Sequence, residues 1–156
     1  MPNGSLETLT SCPSAPFPFY SGLAGVAASV INGLIYVTGG DGTGPGITNG
    51  ETYTFNSSTN TWTTLATRPG SEAIGLSEVV LNGYIYTLDS NGVLEIYNLA
   101  ANTWSAGAGS GLYANPNGPV LSSVNNSMYG IGVNAQFVST TEQYWPPVTL
   151  YVYTSN

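Results

Sequence analysis

Histidine and lysine are absent from this chain, and arginine occurs once, as Arg68. Without histidine the commonest general base and the commonest metal ligand are both missing. With a single side-chain cation the chain has nothing to displace counterions from a duplex or to hold anionic headgroups, which excludes nucleic-acid binding and membrane-surface attachment by charge. Cysteine is limited to Cys12, so neither an internal disulfide nor a thiolate zinc site can form. Cys12 reads as a small, half-buried residue beside a proline turn. No apolar run reaches the length of a membrane-spanning helix. Met1 to Thr10 has neither a basic nor an apolar signal region, so no signal peptide is expected there. Charge is scarce overall, at 6% of residues against about 25% in an average domain. Eight acids against one cation leave a net charge of −7. Solubility therefore rests on Ser, Thr and Asn side chains and on this modest negative charge.

The chain is nevertheless 42% hydrophobic over 156 residues, enough for a core in spite of 20 glycines. Its organisation is repetitive. Asn32-Gly33, Asn82-Gly83 and Asn125-Asn126 each join two apolar or β-branched runs. Asn-Gly supplies the two positive φ angles of a type I′ hairpin turn. The runs before the turns are Val26–Ile31, Leu76–Leu81 and Pro119–Val124. Those after them are Leu34–Val37, Tyr84–Thr87 and Ser127–Gly130, with Tyr36, Tyr86 and Tyr129 at matching places. Gly25, Gly75 and Gly118 stand at one spacing ahead of the turns. A third strand is expected to end near Tyr53, Tyr97 and Tyr144. A fourth follows Asn60-Thr61-Trp62 and Asn102-Thr103-Trp104, with Val148–Tyr153 in its place in the third repeat. Four short strands per unit, repeated every 40–50 residues or so, point to propeller blades. No segment carries helical periodicity with caps.

Gly39-Gly40, then Tyr53, then Trp62 resembles the kelch signature of a double glycine followed by spaced Tyr and Trp. The second repeat keeps Tyr97 and Trp104 but has Asp89-Ser90 for the glycines. The third keeps Tyr144 and has Gly130-Ile131-Gly132. The resemblance implies an all-β fold of three four-stranded antiparallel blades. The expected division is a lead-in at 1–24, which could hold an extra strand, and blades at 25–66, 67–108 and 109–156. The recurring Tyr36, Tyr53, Trp62, Tyr86, Tyr97, Trp104, Tyr129 and Tyr144 are assigned to packing between blades.

A propeller ring closes with about 4–8 blades, so three leave open apolar faces, which drive association. The expectation is a homo-oligomer, with a dimer closing a six-bladed ring favoured. The alternatives are an open head-to-tail filament or a piece of a longer propeller. The expected function is a non-enzymatic interaction or structural module that self-assembles and binds protein or glycan through its loops. The alternative is a carbohydrate-active hydrolase or lyase using rim carboxylates.

Candidate sites follow from the rare residues. Asp41 and Asp89 occupy similar places after a second strand and could share a rim, for a glycan or a cation. The other reading is solvated or turn-capping acids. Arg68 is a third rim candidate, or else a loop-to-neighbouring-blade hydrogen-bond donor. Phe17, Phe19 and Tyr20, within Pro16–Tyr20, and Trp145, before two prolines, are candidate partner contacts. The run Gly39–Gly46 lacks the Lys-Ser/Thr of a phosphate loop and reads as a blade loop. No catalytic residue, cofactor or metal ligand is assigned. Sequons at Asn3, Asn56 and Asn125 and the scarcity of lysine and arginine favour an extracellular or cell-surface location, with the cytoplasm as the alternative.

Overall fold

The structure, a computed structural model, describes residues 25–39, 50–70, 76–110, 119–133 and 139–144, together with Leu9. These form three antiparallel sheets. Blade 1 is β1 (Ala27–Ile31), β2 (Leu34–Thr38), β3 (Thr52–Asn56) and β4 (Thr61–Thr64), in that order across the sheet. Blade 2 is β5 (Ser77–Leu81), β6 (Tyr84–Leu88), β7 (Leu94–Asn98) and β8 (Thr103–Ala106). Blade 3 is β9 (Val120–Val124), β10 (Ser127–Val133) and β11 (Ser139–Tyr144). The fourth strand expected at Val148–Tyr153 and the lead-in at 1–24, Leu9 apart, lie outside the described residues.

Local turn chemistry explains why each blade is a meander. Asn32 and Gly33 have φ of 52° and 77°, Asn82 and Gly83 repeat these values, and Asn125 and Asn126 have 49° and 61°. Both central residues of each first hairpin are thus left-handed, as a type I′ turn demands. The turn between the third and fourth strands is a second device. Asn56 Oδ1 accepts from the Ser58 and Thr59 amides, and Asn98 Oδ1 accepts from those of Ala100 and Ala101. Each turn then closes on a left-handed asparagine, Asn60 and Asn102. Asparagine suits both jobs because its short amide mimics a backbone carbonyl and tolerates positive φ.

Strand alternation gives every blade two faces. Leu34 and Tyr36 of blade 1 meet Val80, Ile85, Tyr97 and Trp104 of blade 2. The other face of blade 2, with Leu81, Tyr86, Leu88 and Leu94, meets Leu121, Met128 and Tyr144 of blade 3. Each fully buried aliphatic side chain such as Ile85 contributes about 1.5–3 kcal/mol. The segment after β4 is clamped between the first two blades. Its Ala66 amide donates to Asn102 Oδ1 at 2.9 Å, and Trp104 Nε1 donates to the Ala66 carbonyl at 3.0 Å.

The register corrects one sequence assignment. Ile35 pairs with Phe55, and Ile85 pairs with Tyr97. Trp62 pairs with Phe55, and Trp104 with Tyr97. The counterpart of Tyr97 is therefore Phe55, and Tyr53 stands where blade 2 has Glu95. Tyr53 lies near the start of β3 rather than its end, because β3 runs on to Asn56. In blade 3, Met128 pairs with Tyr144, so Tyr144 keeps the predicted place.

Candidate functional site

The blade 1–blade 2 seam is apolar at one end and polar at the other. Ser29, Thr38 and Thr52 belong to the face that blade 1 turns to blade 2. On the opposing face, Glu78 pairs with Thr87, and Thr87 with Glu95. Arg68 enters from the segment between the blades. Its Nη1 donates to Glu95 Oε2 at 2.6 Å, while Glu95 Oε1 accepts from the Gly70 amide at 2.9 Å. Asp89 Oδ2 lies 3.9 Å from the same Nη1. Asp89 Oδ1 accepts from the Asn91 and Val93 amides, both at 2.9 Å, and so caps the turn into β7.

These positions correct the rim assignment of Arg68 and Asp89. Both are only 2% exposed, so neither can meet a glycan or partner at the surface. The reason is physical: a buried carboxylate needs a counter-charge or several N–H donors; Glu95 has the Arg68 guanidinium and one amide, and Asp89 has two turn amides with Arg68 alongside. Asp41, Phe17, Phe19, Tyr20 and Trp145 lie outside the described residues, as does the glycine loop beyond Gly39.

Sequence reasoning passed over Glu95 and Glu78 as two acids among eight. A signal was present: each sits inside an apolar strand run, Leu94-Glu95-Ile96-Tyr97 and Leu76-Ser77-Glu78-Val79-Val80. Such a charge is almost never buried unless paired. Glu78 accepts a hydrogen bond from the Ser29 hydroxyl across the seam. Burial pushes its carboxyl above the ordinary range, against the opposing pull of the Ser29 and Thr38 hydroxyls. Thr38 lies close enough to act on Glu78, yet its Oγ1 makes no well-formed hydrogen bond. Burial likewise raises the Tyr36, Tyr86 and Tyr97 phenols, which stay neutral.

The second feature is the face of blade 3 turned away from blade 2, which no other described blade covers. Val120, Val124 and Ile131 are 61%, 53% and 52% exposed there, while Leu121 and Met128 on the opposite face are buried. Counted from the first hairpin turn, Val124, Tyr129 and Ile131 hold the places of Leu81, Tyr86 and Leu88. Those are residues with which blade 2 receives blade 3. Beside that blade 2–blade 3 seam an open cleft of about 200 Å³ is lined by Leu88, Leu94, Leu121, Met128 and Tyr144.

Residues 22–69 match the family model described as Kelch motif. Among solved structures, YjhT is similar at 20% identity with a TM-score of 0.57, over 78% of this chain and 36% of its own length. This chain thus spans little more than a third of YjhT. No curated protein matches the sequence. Residues 22–69 thus carry one kelch motif, and the likeness to YjhT is one of fold, a succession of antiparallel β-propeller blades.

Proposed function

We infer that the chain is a non-enzymatic interaction module that docks blade to blade with a second copy of itself. The observation that supports this is the free face of blade 3, which repeats at Val124, Tyr129 and Ile131 the apolar positions that blade 2 uses to receive a blade. A face of that kind accepts the opposite kind of face. Blade 1 offers one, with Val30 and Ile35 exposed on the side turned away from blade 2. Blade 3 of one copy meeting blade 1 of the other, twice over, forms a closed six-bladed ring. The contact joins unlike surfaces, so closure depends on the rotation between copies; a rotation that fails to close builds a filament.

The test is sedimentation or light scattering at micromolar concentration. The ring predicts a discrete species of twice 16.2 kDa. Val124→Asp with Ile131→Asp places charges on the free face of blade 3. It should give a folded monomer with an unchanged circular-dichroism spectrum. A wild-type monomer under these conditions overturns the inference. A mass that climbs with concentration replaces the ring with the filament.

A further inference from the structure

The face of blade 1 turned away from blade 2 meets no described blade, yet half of it is buried. Val30 on β1 and Ile35 on β2 are 67% and 37% exposed, whereas Tyr53 and Phe55 on β3 are only 7% and 6% exposed. Register puts all but Val30 on that face directly, since Ile35 pairs with Phe55 and Val37 with Tyr53, and Val30 pairs with Ile35. Trp62 pairs with Phe55 and touches both rings, at 4.8 Å from Phe55 and 6.5 Å from Tyr53. It stands beside them in the same sheet, so it cannot supply the second layer that a buried sheet face needs. Tyr53 and Phe55 also belong to none of the apolar clusters that join the described blades.

Blade 2 shows what kind of cover this half of a face takes. There Tyr97, Trp104 and Asn102 hold the places of Phe55, Trp62 and Asn60. The segment just ahead of the blade lies on them. Leu65 and Ala66 pack against the cluster that contains Tyr97. Asn102 Oδ1 accepts from the Ala66 amide, Trp104 Nε1 donates to the Ala66 carbonyl, and Arg68 reaches Glu95. Ahead of blade 1 the chain reads Ala15-Pro16-Phe17-Pro18, which repeats the Ala-x-x-Pro of Ala66-Thr67-Arg68-Pro69. Phe17 then falls at the place of Arg68, and Tyr53 already holds that of Glu95. The ion pair of one blade corresponds to two aromatic residues in the other. Neither Asn60 nor Trp62 is without a partner.

We propose that the outer half of this face is the docking surface for the chain's own lead-in, with Ala15 held by Asn60 and Trp62, and Phe17 packed on Tyr53. An aromatic pair of this kind needs no counter-charge, which suits a chain whose one side-chain cation is committed to blade 2. The docking is separate from self-association. It fills the half of the face at Tyr53 and Phe55, and it leaves Val30 and Ile35 open to a second copy.

Cys12 provides the test, because it is the only cysteine and stands three residues from Ala15, at most about 11 Å along an extended chain. A nitroxide on Cys12 of the full-length, isotope-labelled protein should broaden the amide NMR signals of β4 (Thr61–Thr64) more than those of β8 (Thr103–Ala106). Nitroxide-bearing copies mixed with separately isotope-labelled copies should show no such broadening. Tyr53→Ala should lower the melting temperature by roughly 6–20 °C. Phe17→Ala should lower it in the wild-type background and by less than half as much in Tyr53→Ala, since the two residues share one contact. The nitroxide measurement uses the wild-type fold and decides the matter even where Tyr53→Ala fails to fold. Signals of β4 left as sharp as those of β8 overturn the proposal. So does an equal loss from Phe17→Ala in both backgrounds. Broadening of β4 in the mixed sample overturns docking within one chain and assigns the lead-in to a second copy.

Discussion

Arg68→Met isolates the largest electrostatic commitment in the fold. Arg68 is the only side-chain cation in the chain and is buried against Glu95 at 2.6 Å. Methionine keeps much of the unbranched stem and removes the charge. Glu95, 3% exposed, would keep the Gly70 amide but lose its counter-charge, and Asp89 would lose the edge of the same guanidinium. Breaking a buried pair from one side costs about 3–5 kcal/mol, because the remaining charge stays desolvated. For a chain of this size that lowers the melting temperature by roughly 6–20 °C. Removing both charges is far less damaging. In Arg68→Met/Glu95→Gln, the substituted side chain keeps an amide carbonyl that can still accept from the Gly70 amide. The double variant should recover more than half of the single variant's loss. Urea unfolding of wild type, both single variants and the double variant closes the cycle and yields the coupling energy. If Arg68→Met lies within about 1 kcal/mol of wild type, the pair behaves as a surface salt bridge would and the reasoning fails. It fails equally if the double variant is no more stable than Arg68→Met.

Three further outcomes follow from the same geometry. Ile85→Ala empties a fully buried site between Tyr36 and Tyr97 and should cost about 2–5 kcal/mol in chemical denaturation. Gly107→Ala would place a Cβ 2.8 Å from Leu94 Cγ and Cδ2 and 3.1 Å from the Leu94 carbonyl. Overpacking against backbone should cost about 1–3 kcal/mol by the same measurement, whereas Gly109, with open space around its Cβ position, should accept alanine with little change. Burial holds the folded Glu78 carboxyl above its ordinary value of 4.5. Its ionisation therefore costs stability that is fully present below the ordinary value and is lost as pH rises through the folded one. Glu78→Gln should therefore be more stable than wild type at neutral pH and should lose that advantage in acid, as pH-dependent melting would show.

Much of the blade architecture was legible in the residues. Asn-Gly demands two left-handed φ angles, so Asn32-Gly33 and Asn82-Gly83 announce tight hairpins whatever surrounds them, and the two strands beside each turn follow. Asn60-Thr61-Trp62 and Asn102-Thr103-Trp104 mark their turns by the same local chemistry. Tyr53 shows where such reading fails. Spacing from the double glycine made it the partner of Tyr97, but β-strand register is decided by pairing across the sheet, and pairing put Phe55 there. The candidate sites were less legible. Arg68 and Asp89 stood out because charge is rare, and rarity says nothing about burial.

Local backbone preference and strand periodicity, both carried by residues close in the chain, settled the all-β class, the first hairpins and the kelch resemblance at 25–65. The seam required the folded chain. Arg68 meets Glu95 across 27 residues, and Ser29 meets Glu78 across 49, distances over which no sequence pattern fixes geometry. Only the stacking of one blade on the next determined which carboxylates meet Arg68, that the Ser29 hydroxyl meets Glu78, and that blade 3 leaves an apolar face uncovered by the other described blades. Those outcomes depend on which faces exclude water together, and that is a property of the packed blades rather than of any single strand.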